Sequence, residues 1–229
     1  LDASGTDRAV VAGFSAGGTL ALLLTAFHPE RLLGSVPIAG GHPWTPADAD
    51  RVAPPWDPDD AEPPVEWSKF DLRWWERDYR DFVEWFIRTV NTDPHSTKLH
   101  DDAIAWALEG DPHVPWNAIQ DSWDVDIDAW HARLAASDVP VLLIHGDADV
   151  NTPYWGSELL RDLIPGARLL TKPGADHPVN ARYPVLVNHA IRDFVDEVCG
   201  REPRIGAGTR EAAPGGTAPP PRPADAAVP

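Results

Sequence analysis

Short apolar runs alternate with longer amphipathic ones at both ends of the chain, and that alternation predicts the elements. Arg8 to Phe14 (RAVVAGF) is a β-branched run of buried-strand length, and Ala16 to Phe27 is a helix of small residues and leucines stopped by His28-Pro29. Leu32 to Ala39 reads as a second strand halted by Gly40-Gly41, and Val139 to His145 as a third closed by Gly146. A helix at about Tyr154 to Leu163, a strand at Ala167 to Thr171 and a helix at about Pro184 to Val198 complete the series. Strands alternating with helices predict an α/β fold, a mainly parallel sheet covered on both faces.

The middle of the chain has another period. From Trp67 to Val90, Phe70, Trp74, Trp75, Phe82, Trp85 and Phe86 recur at helical spacing, and Asp101 to Leu108 and Asp124 to Leu134 read as shorter helices with acidic first turns. Pro54-Pro55, Pro63-Pro64 and Pro94 divide the segment. The reading is a core formed by residues 1–41 and 139–200, with a helical insertion at 42–138. From Arg201 to Pro229 the chain is Pro, Ala, Gly and Arg with almost no large apolar residue, which predicts a disordered tail.

Charge sharpens this division. The insertion holds 22 acidic and 8 basic residues, so it carries −14 of the chain's net −17, together with ten of the eleven tryptophans. Such a deficit of cations argues against a nucleic-acid or anionic-lipid partner. One cysteine, Cys199, excludes an intrachain disulfide and a cysteine metal cluster, and no run approaches the roughly 20 apolar residues of a membrane span. No cofactor and no metal are expected, and a cytoplasmic location is. The 229 residues include no methionine and open at Leu1 in what reads as a helix end, so a piece of a longer chain is expected.

The sharpest chemical signal is Gly13-Phe14-Ser15-Ala16-Gly17, a G-x-S-x-G run between a predicted strand and a predicted helix. A serine on a strained strand-to-helix turn projects from the strand's end, and small residues two before and two after it let the backbone cross closely. The helix starting at Ala16 aims unpaired N–H groups at any oxyanion formed there, so the Ala16 N–H is the candidate donor. Asp149 and His177 each lie just past a predicted strand and follow Ser15 in the order Ser, Asp, His, which fits a catalytic triad. Plainer alternatives stand beside these: a Gly-rich turn with a surface serine, a solvated turn acid with Asp147 as rival, and a loop histidine. Most of the tryptophans read as the insertion's own core, and His95 as an exposed helix-entry residue.

These pieces together resemble the α/β-hydrolase superfamily. The resemblance rests on GFSAGG, HPERLLGSVPIAG, VPVLLIHGDADVNTP and PGADHPVNARYP, and covers residues 1–41 and 139–199. In the family pattern the acid lies three residues after the strand-ending glycine, which selects Asp149 over Asp147. The family's histidine loop commonly reads Gly-x-Gly-His, and here Asp176 replaces the second glycine. The insertion falls where the family places a cap. Its stretch from YRDFVEWF to DPHSTKLHDDAIAWALEGDP is similar to caps of an actinobacterial subgroup, some of which precede a glycosyltransferase domain. The resemblance also implies four strands and a loop with a second oxyanion donor ahead of Leu1, so that this chain alone is expected to be poorly soluble or inactive. It implies a serine hydrolase acting on a small ester-like acyl substrate, with acyl transfer, perhydrolysis and carbon–carbon hydrolysis open to the same residues. The alternative is a non-catalytic remnant serving as a binding module.

Overall fold

The structure is a computed structural model that describes residues 1–41, 56–59, 62–92, 97–123 and 125–201, with the backbone course alone for 119–123. Trp44, Pro54, Pro55, Pro94, His95, Asp124 and the tail from residue 202 lie outside the described residues.

Ala9–Phe14 (β1), Leu32–Ile38 (β2), Leu142–Gly146 (β3) and Arg168–Lys172 (β4) pair in chain order, all parallel. The register aligns Phe14 with Ile38, Ile38 with Ile144 and Ile144 with Leu170. β1 and β2 end in one row at Phe14 and Ile38, β3 and β4 run two residues further to Gly146 and Lys172, and the loops that follow all four share one rim.

Ala16–Phe27 (α1), Trp155–Leu163 (α6), Val179–Arg182 (α7) and Pro184–Val198 (α8) cover the sheet together with Ile127–Ala135 (α5). On one face Leu22 and Ala26 of α1, Trp130 and Leu134 of α5, and Leu160 of α6 pack against Val141 and Leu143. On the other, Val187 and Phe194 of α8 and Val179 of α7 pack against Val36, Ile38, Leu142 and Ile144. Consecutive residues of β3 thus feed opposite cores, which is why its run is apolar throughout rather than alternating. Regular pairing of β3 begins at Leu142, three residues later than the pattern suggested. Pro140 has no N–H to give and instead accepts from Ser35 N–H at 2.9 Å.

Between β2 and β3 the chain forms Leu72–Val90 (α2), Thr97–Leu108 (α3), His113–Trp123 (α4) and then α5. Trp56, Trp74, Trp75, Phe82, Val83 and Ile104 make a separate aromatic core there. Trp106 stands 65% exposed, whereas Trp130 is buried in the sheet's own core. Three local readings are corrected. The α2 run is broken at Asp78, whose backbone is non-helical and whose carboxylate accepts from Asp81 N–H at 3.0 Å, capping a fresh start. α3 begins at Thr97, so Asp101 and Asp102 fall inside it and not in its first turn. α4 was not foreseen: Pro115 lies in its first turn, where a missing N–H costs nothing. Asp126, by contrast, caps α5 through Ala129 N–H at 3.0 Å, with Asp128 in the first turn. Among the described residues, no helix is long and apolar enough to cross a membrane.

Where α1 folds back on β1 the two backbones nearly touch. A Cβ on Gly13 would lie 2.0 Å from the Gly17 carbonyl oxygen, whereas a Cβ on Gly17 would meet nothing within 4 Å. The steric demand is thus on Gly13, not on Gly17. Gly13→Ala is expected to lower stability by at least about 2 kcal/mol, and Gly17→Ala to leave it unchanged or raise it by up to about 1 kcal/mol. Urea midpoints of the two variants check this; equal losses would contradict it.

Candidate active site

Ser15 follows β1 with φ 57° and ψ −121°, a backbone that a non-glycine residue holds at a cost of about 1–3 kcal/mol. The surroundings impose it. Ser15 N–H donates to Ile38 O at 2.9 Å, and its carbonyl accepts from Gly18 N–H at 2.8 Å and Thr19 N–H at 3.1 Å. Although it occupies the N-cap of α1, its side chain makes no capping bond. The hydroxyl instead lies 2.9 Å from His177 Nε2. Ala16, the first residue of α1, presents an N–H that helix geometry leaves without a backbone partner.

His177 is held from below and from behind. A Cβ on Gly146 would lie 2.3 Å from the Ala175 carbonyl oxygen, so the loop after β4 rests flat on the end of β3, and Ala148 N–H donates to that same oxygen at 3.0 Å. The Phe14 ring packs 4.9 Å from the imidazole, which is 3% exposed.

Asp149 completes the line. Its Oδ2 is 2.7 Å from His177 Nδ1, 2.7 Å from Thr152 Oγ1 and 3.0 Å from His145 Nε2, and its Oδ1 accepts from Asn151 N–H at 2.7 Å and Thr152 N–H at 2.9 Å. The rival Asp147 is exposed and accepts from Gly174 N–H at 2.6 Å. A carboxylate only accepts, so Nδ1 of His177 carries the proton and Nε2 is left to accept from the Ser15 hydroxyl.

The α/β-hydrolase family model described as TAP-like protein matches residues 109–208. A pimeloyl-[acyl-carrier protein] methyl ester esterase from Nitrosomonas europaea is 28% identical over 181 residues, covering 77% of this chain and 67% of that protein. A solved hydrolase from Pseudomonas aeruginosa superposes with a TM-score of 0.64 at 23% identity, covering 85% of this chain and 67% of that one. A solved thermophilic esterase from Thermogutta terrifontis gives 0.64 at 20% identity, covering 86% and 68%. The chain has the fold of the α/β hydrolases. Its likeness runs to carboxylic ester hydrolases among them.

Several polar contacts of this site go beyond what the sequence pattern shows. His145 is fully buried, its Nε2 facing Asp149 Oδ2 and Thr152 O at 3.0 Å each and its Nδ1 2.6 Å from Ser157 Oγ. Acceptors at Nε2 place the proton there, so Nδ1 accepts from Ser157. The available signal was a histidine ending an otherwise apolar strand four residues before the acid. Asn151 lies with Nδ2 3.2 Å from His177 Nε2, beside the serine hydroxyl. Asp176, the departure from Gly-x-Gly-His, is buried and bonded to Thr92, a contact no local pattern could have announced.

Burial pushes the Asp149 carboxyl upward, but hydrogen bonds from His145 and His177, the His177 charge and the Thr152 hydroxyl outweigh it and hold the group well below the ordinary carboxylate range. A folded-state value below the unfolded one stabilises the protein at pH above the unfolded value, and that contribution disappears as pH falls through the folded value. The stability gap between wild type and Asp149→Asn is therefore expected to be constant above about pH 5 and to narrow from about pH 4 down to pH 2, as read by urea unfolding. A gap that widens on acidification would contradict this assignment.

Proposed function

We propose that this α/β hydrolase cleaves a small ester-like acyl substrate by covalent serine catalysis. The observation that supports it most is the unbroken line from Ser15 Oγ to His177 Nε2 at 2.9 Å and from His177 Nδ1 to Asp149 Oδ2 at 2.7 Å. The Ser15 oxygen attacks the ester carbonyl while its proton passes to Nε2, and Asp149 stabilises the imidazolium so formed. The tetrahedral oxyanion takes a hydrogen bond from the Ala16 N–H and lies at the positive end of α1. Collapse breaks the ester C–O bond, and Nε2–H gives its proton to the departing alcohol. Water then enters with His177 as base, a second tetrahedral intermediate releases the acid, and the serine hydroxyl is restored.

The helical insertion acts as the cap over this rim, and its aromatic core gives the cap rigidity of its own. The Nitrosomonas relative is named for a methyl ester, which supports the ester class. Labelling by a fluorophosphonate probe tests the reading. Ser15→Ala is expected to abolish labelling, His177→Ala to reduce it at least a hundredfold, and Asp149→Asn to lower kcat toward a p-nitrophenyl ester by about a thousand- to ten-thousandfold. Probe attachment undiminished in Ser15→Ala would remove Ser15 from the chemistry.

A further inference from the structure

Asp176 is a carboxylate where burial gives it little reason to be. It is 4% exposed, and its Oδ2 accepts from Thr92 N–H at 2.8 Å and stands 3.4 Å from Thr92 Oγ1. Thr92 immediately follows Asn91, the C-cap of α2. A helix C-terminus presents carbonyls and repels anions, so general electrostatics disfavours a carboxylate here and the directed bond to Thr92 N–H must hold it.

That N–H belongs to a peptide unit engaged at both ends. The carbonyl of the same Asn91–Thr92 peptide lies 2.8 Å from His100 Nε2 of α3. The line therefore runs from His100 through one peptide to Asp176, with each bond polarising the next. Asp176 is covalently joined to His177, and the backbone oxygens of Ala175 and Asp176 both press on Gly146. One contact thus joins segments 84 residues apart: the α2–α3 junction of the insertion and the loop that carries the imidazole.

We propose that Asp176 is a positioning residue that clamps the histidine loop to the end of α2, so that the seating of the insertion and the aim of His177 are set together. The proposal rests on the reading of Ser15, His177 and Asp149 as the reacting line. Coupling of this kind is reciprocal: displacing the α2–α3 junction loosens His177, and engaging His177 tightens the junction. A substrate that reaches Ser15 and engages His177 thereby favours the arrangement that reacts with it.

The test compares Asp176→Asn and Asp176→Ala in the full chain. Asparagine keeps an oxygen for Thr92 N–H and is expected to label with a fluorophosphonate within about threefold of wild type. Alanine removes the acceptor and is expected to lower both the labelling rate and kcat for p-nitrophenyl butyrate at least about tenfold, at a temperature where unfolding curves show it folded. A second measurement needs no variant: phosphonylation of Ser15 in the wild type is expected to slow amide exchange at Thr92 at least about tenfold. Folded Asp176→Ala reacting at the wild-type rate, or Thr92 exchange indifferent to phosphonylation, would overturn the clamp while leaving the serine reading intact. Wild type that neither labels nor turns over as the full-length gene product would remove that reading and the clamp with it. Should Asp176→Ala fail to fold, the exchange measurement decides alone.

Discussion

A carboxylate taken out of water must be given back the hydrogen bonds that water supplied, and Asp149 receives them from three directions. Two backbone N–H groups of its own loop satisfy one oxygen, while Thr152, His145 and His177 converge on the other. Remove that charge and three elements lose their common partner: the end of β3 at His145, the turn at Asn151 and Thr152, and the loop of His177. The same convergence fixes the imidazole tautomer, because an acceptor at Nδ1 leaves only Nε2 to face the serine. Position, protonation and charge at the rim thus have one electrostatic origin.

The other half of the arrangement is steric. A serine held at positive φ is unfavourable in isolation, and it persists because β1 and α1 meet so closely that only glycine fits at Gly13. Parallel pairing then brings the carboxyl ends of β1, β3 and β4 to one rim, with hydroxyl, carboxylate and imidazole from residues 15, 149 and 177 within hydrogen-bond reach. The insertion contributes a second core of aromatic rings, most of them meeting edge to face, tied to the sheet through α5 and to the rim through Thr92 and Asp176.

Much of this was legible wherever local physics decides. α1 spans Ala16–Phe27 as the pattern suggests, because a strained serine opens it and His28-Pro29 stops it. β3 announced itself by burial on both faces. Legibility failed where an ambiguous residue type meets a backbone detail. Pro115 hid α4 because a proline breaks a helix or begins one depending on its turn, and Asp78 divided α2 because an aspartate caps as readily as it is solvated. Residue types alone left Asp147 and Asp149 as rivals. The resemblance to the family pattern favoured Asp149, and the turn shows why, with Asp149 facing the imidazole and Asp147 facing Gly174. The bond from Thr92 to Asp176 has no local trace at all, since it depends on how the insertion is seated.

The central claim is that the Asp149 carboxylate holds the His177 imidazole in one tautomer, with Nε2 free for the Ser15 hydroxyl. Proton and nitrogen NMR of the His177 ring tests it most directly. The account predicts a protected Nδ1 proton far downfield of the amides, lost in Asp149→Asn, with an Nε2 resonance that moves when Ser15 becomes alanine. An Nδ1 proton that exchanges freely with water and a ring spectrum unchanged in Asp149→Asn would contradict it.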